Sequence, residues 1–369
     1  MNTLDKEGTQ GDTTLKDKSK TQKAEGMYGA ALETDSGLQG AKSWQEMRFT
    51  PDDLRLASKE EREQLVQMRE SSTYWKDARR RFSKNKVAIF SLAVLVLVVL
   101  FAFVGPLFSP YSYDQQVRGH ERMAPNATHW FGTDNLGRDM MVRVMVGTRI
   151  SLLVGLVASV LETIVGGIYG SVAGYIGGRV DNVMMRISDV LYSIPDILLI
   201  ILLQIALKSP VEALAMSTGM QWVTRIGAPL FSIFITFALL YWVGMARMVR
   251  SQILQLKQME YVTVARAFGG KGPRIVRKHL LPNASSAVLV QAMFQIPQAI
   301  FTESFLSFIG LGVRAPMASL GSLASDALQG LTSYPHLLIA PAVMIALIML
   351  ALNQFGDGLR DALDPKIRD

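Results

Sequence analysis

From Val87 to Phe108 about 20 apolar residues follow one another without a charge. At about 1.5 Å per residue, a helix of that length crosses a bilayer core of about 30 Å. Five more apolar blocks follow, at Ile150 to Tyr175, Val190 to Leu207, Ala228 to Met248, Ala284 to Leu311 and Leu337 to Phe355. The pattern predicts an all-α membrane protein with six spans and both chain ends on one side. Ahead of the first span, residues 1 to about 72 are polar. Met1 to Gly40 has almost no apolar periodicity and is expected to stay disordered, and it lacks the apolar core of a signal peptide. Leu54 to Glu70 is charged and predicts a short surface helix.

Basic residues orient the spans. The segment over 73–86 reads as an interfacial helix, with Trp75 and Phe82 dipping into the headgroup region and six Lys and Arg between Lys76 and Lys86. The plainer reading is an ordinary positive flank of the first span. Eight basic residues lie between Arg247 and Lys278, and Arg360, Lys366 and Arg368 follow in the tail. All of these fall on one side, which the excess of positive charge marks as cytoplasmic. The stretch from Ser109 to Arg149 argues back with five arginines, partly offset by Asp114, Glu121, Asp134 and Asp139. The first span and the long basic loop outweigh it.

Inside the second span Gly166, Gly170, Gly174 and Gly178 recur every four residues, which places them on one helix face and suits close helix packing. A glycine-lined path is the less favoured alternative. Glu162 lies mid-span, and Asp196 and Glu303 lie within or near spans, where a charge costs roughly 2.5–3.5 kcal/mol at a helix centre. A proton relay would make the chain a secondary transporter. Polar contacts inside a bundle, or a water-filled path, account for the same residues.

Composition narrows the chemistry. Hydrophobic residues are 49% of the chain and charged residues 19%. With no cysteine there is no disulfide, thiol nucleophile or cysteine metal site, and the four histidines show no metal-ligand spacing, so no metal is expected. The net charge of +7 fits cytoplasmic loops better than nucleic acid. Gly269-Gly270-Lys271 is only a fragment of a phosphate loop, so ATP is not expected to bind this chain. No nucleophile elbow or HExxH pattern points to an enzyme.

The remaining feature is the polar, basic segment over 256–283, set between two apolar runs, with helix-forming stretches on either side of Gly269 and Pro282 at its close. Such a hairpin can leave a membrane domain and hold a partner. A turn between two short helices there calls for positive φ, which glycine accepts most readily.

Ala265, Gly269, Leu281 and Pro282 resemble the EAA loop of binding-protein-dependent ABC importer permeases. Phe131-Gly-Thr-Asp-Asn-Leu-Gly-Arg-Asp139 resembles the signature of the dipeptide, oligopeptide and nickel permeases. Ser304 to Gly312, Gly356 to Pro365 and Trp75 to Phe82 look like the C-type subunit of oligopeptide permeases. The resemblance runs from about residue 75 to the end. It departs at Thr263 and Val264, which replace the opening Glu and Ala of the loop. It departs also at His279, where isoleucine is expected, in the long N-terminal extension, and at Lys208 to Gly227, which looks longer than the usual connection.

The resemblance implies a type I ABC importer permease fold of six helices with a cytoplasmic coupling helix, in a bacterial plasma (inner) membrane. It implies ATPase coupling through Glu260, Ala265, Arg266, Ala267, Gly269, Gly270, His279, Leu281 and Pro282. It marks Gly132, Thr133, Asp134, Gly137, Arg138, Asp139, Gly310, Gly312, Asp357, Arg360 and Asp361 as family-motif positions. The partners it implies are a second, B-type permease chain, two ATPase subunits that carry ATP and Mg, an external peptide-binding protein and membrane lipid. The chain itself is then a non-catalytic subunit importing oligopeptides or dipeptides. The alternatives are a proton-coupled secondary transporter, or an ABC importer for nickel or another peptide-like solute.

Overall fold

The computed structural model describes residues 74–217, 227–313 and 317–363. The disorder expected of Met1 to Gly40 and the helix expected over Leu54 to Glu70 lie outside them. The described residues are helical throughout, apart from connecting loops and one isolated antiparallel bridge between Thr133 and Asp139.

Helix α1 (Tyr74–Phe82) is short and basic, and ends in Arg79, Arg80 and Arg81. Asn85 then caps α2 (Lys86–Phe103), its side chain accepting from the amides of Val87 and Ala88, both at 3.1 Å. After a folded loop come α3 (Met140–Ile176), α4 (Gly178–Tyr192), α5 (Asp196–Ser217), α6 (Ala228–Leu240) and α7 (Trp242–Leu256). The hairpin holds α8 (Glu260–Ala267), α9 (Gly272–Ile275) and a π turn over Val276–Leu280. Then follow α10 (Leu281–Phe308), α11 (Leu320–Leu328) and α12 (His336–Leu363).

Six helical stretches are long and apolar enough to cross a membrane: Lys86–Leu107, Met140–Ile176, Asp196–Leu214, Ala228–Leu256, Gly272–Phe308 and His336–Leu363. Their limits differ from the apolar blocks. The second begins ten residues earlier, because Asp139 caps it there and Arg143, the charge in its first turns, is paired with Asp134 of the preceding loop. The third starts at Asp196 rather than Val190. The chain breaks over Ser193 to Pro195, and Val190 belongs to the separate helix α4. Residues 208–217, read above as connection, continue α5 with Pro210 inside it. The fifth ends at Phe308, ahead of Gly310, whose φ of 80° cannot continue a helix.

One core joins α2, α3, α10, α11 and α12 through Val98, Val144, Ile300, Leu320 and Ile348. A second joins α3, α5, α6 and α10 through Val154, Ile200, Phe237 and Ala299. The closest pairing is α3 with α7. A Cβ on Gly166 would lie 2.6 Å from the Trp242 carbonyl oxygen, and one on Gly170 2.3 Å from that of Ala246. A Cβ on Gly174 would lie 2.9 Å from the Arg250 carbonyl oxygen. Backbone thus meets backbone at three positions over about two turns. Gly178 is not in that row. α3 ends at Ile176, Gly177 and Gly178 both have positive φ, and nothing lies within 4 Å of a Cβ at Gly178. It serves a change of chain direction, not packing.

Amphipathic α4 is held to α7 by charge. Arg250 grips Asp181 with two bonds, Nε to Oδ1 at 2.5 Å and Nη2 to Oδ2 at 2.6 Å. Arg247 Nη2 donates to Asp189 at 2.8 Å. Glu303, one of the charges in spans, is fully buried and satisfied by serines: Ser151 Oγ at 2.9 Å and Ser307 Oγ at 2.7 Å. That is bundle chemistry.

Candidate functional site

The motif residues fall at two opposite ends of the molecule. One end carries the hairpin, α1 and the end of α12. The other carries the loop over 109–139, with α11 and the start of α12 against it.

In the loop, Asp134 is the centre. Its Oδ1 accepts the amides of Leu136 at 2.8 Å and Arg138 at 3.0 Å. Its Oδ2 takes Arg138 Nε at 2.6 Å and Nη1 of Arg143, whose other terminal nitrogen lies 3.7 Å from Asp326. Burial pushes the Asp134 carboxyl up, but Arg143, the two amides and Arg138 outweigh it and hold it below the ordinary carboxylate range. Asp139 both caps α3, through Val142 N at 2.9 Å, and bonds His129 Nδ1 at 2.8 Å. Thr133 accepts from Met123 N at 2.9 Å and donates to the His120 carbonyl. Gly137 has φ 72°, and a Cβ there would sit 2.1 Å from the Val117 carbonyl oxygen, while Gly132 is as tightly placed against Met123. The arginines that argued against orientation are therefore partly internal: Arg138 and Arg143 are buried and paired. Asn126 is also spent inside this loop, its Oδ1 accepting from the amides of Thr128 and His129. The arrangement is a clasp that fixes the start of α3 against α11.

The hairpin is built differently. Val262, Ile275 and Leu280 are buried against Met245, Val249 and Ile253 of α7, which anchors its base. α8 ends in a Schellman turn: Gly269 N donates to the Arg266 carbonyl at 2.9 Å and Gly270 N to the Ala265 carbonyl at 2.9 Å. Gly269 takes the left-handed position, φ 78°, with open space where a Cβ would be. Gly270 has no such φ, but a Cβ there would lie 2.6 Å from the Ala265 carbonyl oxygen. The two glycines are thus required for different reasons. Glu260, Arg266, Ala267 and Phe268 are exposed, the last to 88%, and Ala265 is half-buried. Met259 and Val264 are also exposed, so the tip presents apolar surface among basic residues.

Two features of the hairpin escaped the sequence. Tyr175, at the end of α3, receives Lys257 Nζ on its carbonyl and Arg266 over its ring at 5.8 Å, and Gly272 lies against the ring edge. These contacts come from more than 80 residues away in sequence, so no local signal marked them. The π turn is the second. His279 lies in it, half-buried, its carbonyl accepting Asn283 Nδ2 at 2.7 Å. Pro282 stands in the first turn of α10 and has no N–H for the carbonyl four residues back, and the widened turn gives its ring room. Leu281 opens α10.

The other motif positions lie outside both the loop and the hairpin. Gly310 and Gly312 form the turn after α10, where Gly312 is pressed on Ser307. Asp357, Arg360 and Asp361 are exposed on the last turns of α12.

The family model described as the binding-protein-dependent transport system inner membrane component matches residues 166–369. The N-terminal TM domain of oligopeptide transport permease C matches residues 73–125. The chain is 45% identical over 300 residues to the oligopeptide transport system permease protein OppC of Bacillus subtilis, covering 81% of this chain and 92% of that protein. It is 45% identical over 301 residues to the dipeptide transport system permease protein DppC of the same organism, covering 81% and 88%. It is 44% identical over 301 residues to OppC of Escherichia coli K12, covering 81% and 93%. With six apolar helices and these matches, the chain belongs to the family of inner-membrane permease components of binding-protein-dependent ABC transport systems.

Proposed function

We propose that the chain forms half of the translocation pathway of an ATP-driven importer of oligopeptides or dipeptides, and that the hairpin tip seats in an ATPase subunit on the cytoplasmic side. The observation that carries the reading is the tip itself: a short helix closed by a Schellman turn, apolar and basic on its exposed face, on a buried base. A preorganised helix of that kind docks with little ordering cost. Movement of the tip would reach α3 through Tyr175 and α10 through the π turn. That route suits a switch between inward- and outward-facing states driven by ATPase closure. ATP and Mg then belong to two ATPase subunits, a second B-type permease chain completes the pathway, and an external binding protein delivers the peptide. Both chain ends are cytoplasmic in this reading.

Reconstitution tests it. The complex with ATPases, second permease and binding protein imports tripeptide into vesicles only with ATP, while the isolated chain hydrolyses none. Hydrolysis by the isolated chain above a mock preparation overturns the reading. Orientation is read from single cysteines. Ala127→Cys, which leaves the Asn126 turn intact, and Ser333→Cys react with an impermeant thiol reagent from outside the cell. Lys271→Cys does not, and its labelling in intact cells overturns the orientation.

A further inference from the structure

A cavity of about 550 Å³ lies against Glu162, past the midpoint of α3. Its polar lining includes Glu162 of α3, Ser193 in the α4–α5 connection, Asp196 in the first turn of α5, Tyr241 at the α6–α7 break, and Gln291, Gln295 and Gln298 on one face of α10. None of the described residues lining it is basic. Arg247 is near, over the Tyr192 ring at 4.4 Å, but is committed to Asp189.

Most polar groups here have partners. The Tyr241 hydroxyl and Thr302 Oγ1 are 2.7 Å apart, and Asp196 Oδ1 accepts the amide of Ile197 at 2.9 Å. Two atoms do not. Glu162, 2% exposed, has an Oε1 with no hydrogen bond, and so does Gln295, 8% exposed, at its Oε1. Both are acceptors. A buried acceptor without a donor is costly, more so when charged. Glu303, one helix away, shows how this bundle satisfies a carboxylate meant for structure: with serines from its own surroundings. Glu162 has no such set, and the lining supplies no cation. A solute that brings a hydrogen-bond donor together with positive charge would complement this lining.

We propose that this cavity is a cation subsite on the translocation path, where Glu162, with Asp196 at the rim and Gln295 as a further acceptor, receives the ammonium group of the passing solute. The inference rests on the peptide-import reading. An ammonium group carries three donors, no acceptor and a compact positive charge, which matches a lining that offers acidic and amide acceptors and no cation. The α-amino group of a peptide and a lysine side chain share this chemistry.

The chain has no cysteine, so a thiol introduced at Ser193, in the cavity lining, is the only one on it. In the assembled complex, the rates of Ser193→Cys with a cationic and an anionic methanethiosulfonate report the local potential. Glu162→Gln, which keeps the size and one acceptor oxygen but removes the charge, lowers the cation-to-anion rate ratio about tenfold, and Asp196→Asn lowers it less. Tri-alanine slows the cationic reaction, N-acetyl-tri-alanine does not, and N-acetyl-Ala-Lys-Ala, whose ammonium is on the side chain, slows it again. Protection disappears with Glu162→Gln. An unchanged ratio in Glu162→Gln, a thiol that neither reagent reaches, or equal protection by tri-alanine and N-acetyl-tri-alanine overturns the proposal. Import of tri-alanine by the wild-type complex is scored separately, so loss of the transport reading is not confused with loss of this one.

Discussion

The loop over 109–139 and the hairpin over 256–283 both carry family-motif residues, yet they are opposite kinds of structure. The loop turns its charges inward. Asp134, Arg138, Asp139 and Arg143 are all buried and bonded to one another or to backbone. The hairpin buries only its base and exposes Met259, Val264 and Phe268. Motif residues that satisfy each other hold a fold, while motif residues left open at a rigid tip suit a partner. The same residue type shows the difference: Gly137 and Gly269 both have positive φ, but only Gly137 is walled in.

The strongest break in the comparison is Asp134→Ala. It leaves the Arg143 guanidinium buried beside Arg138 without its main counter-charge, a loss of about 3–5 kcal/mol. The expected result is a marked fall in Tm in detergent and little folded protein in the membrane. A Tm near wild type would mean the loop is no clasp.

Next come the two glycines, changed to the same residue. Gly137→Ala meets the left-handed cost of about 1–2 kcal/mol and also drives a Cβ into the Val117 carbonyl. Gly269→Ala meets only the left-handed cost. Thermal melts should therefore rank Gly137→Ala well below Gly269→Ala, and equal melting would erase the distinction. Gly269→Leu is expected to insert normally but lose transport, because the strain misplaces the short helix without unfolding six packed spans. Gly270→Leu should also lose transport, through its clash with the Ala265 carbonyl. Full import by both variants would remove the hairpin from the mechanism.

Phe268→Ser should leave stability within about 0.5 kcal/mol, since it removes surface exposed in this chain. ATPase activity stimulated by the binding protein should fall, which purified complex can show. Activity at the wild-type level would place docking elsewhere on the tip.

The smallest effect concerns acid. The Asp134 carboxyl is depressed below its ordinary value of 3.8, so its contribution is complete above that pH and is lost as pH falls through the folded value. Melting should be insensitive to this pair from about pH 5 to 8 and drop in more acid solution. Asp134→Asn should flatten the acid limb. A limb of the same depth in that variant would assign it to other carboxylates.

The six spans, the hairpin and the turn at Gly269 were legible in the chain, because each is local. An uncharged apolar run, a basic interval and a glycine between helix formers act within a few residues of themselves. The periodic glycines were legible up to Gly174 and misleading at Gly178, since spacing continues past a helix end that only Gly177 and its φ of 73° impose. Helix α4 was hidden because its apolar residues ran into those of α5, and what separates it is an ion-pair attachment to α7 formed across more than 50 residues. The fates of the acidic residues were likewise out of reach. Glu303 and Glu162 look alike in sequence, yet packing surrounds one with serines from α3 and α10 and leaves the other beside a cavity with a buried oxygen that accepts no hydrogen bond. Hydrophobicity and backbone preference act along the chain and so can be read from it, whereas the partner of a buried charge is chosen only when distant helices meet.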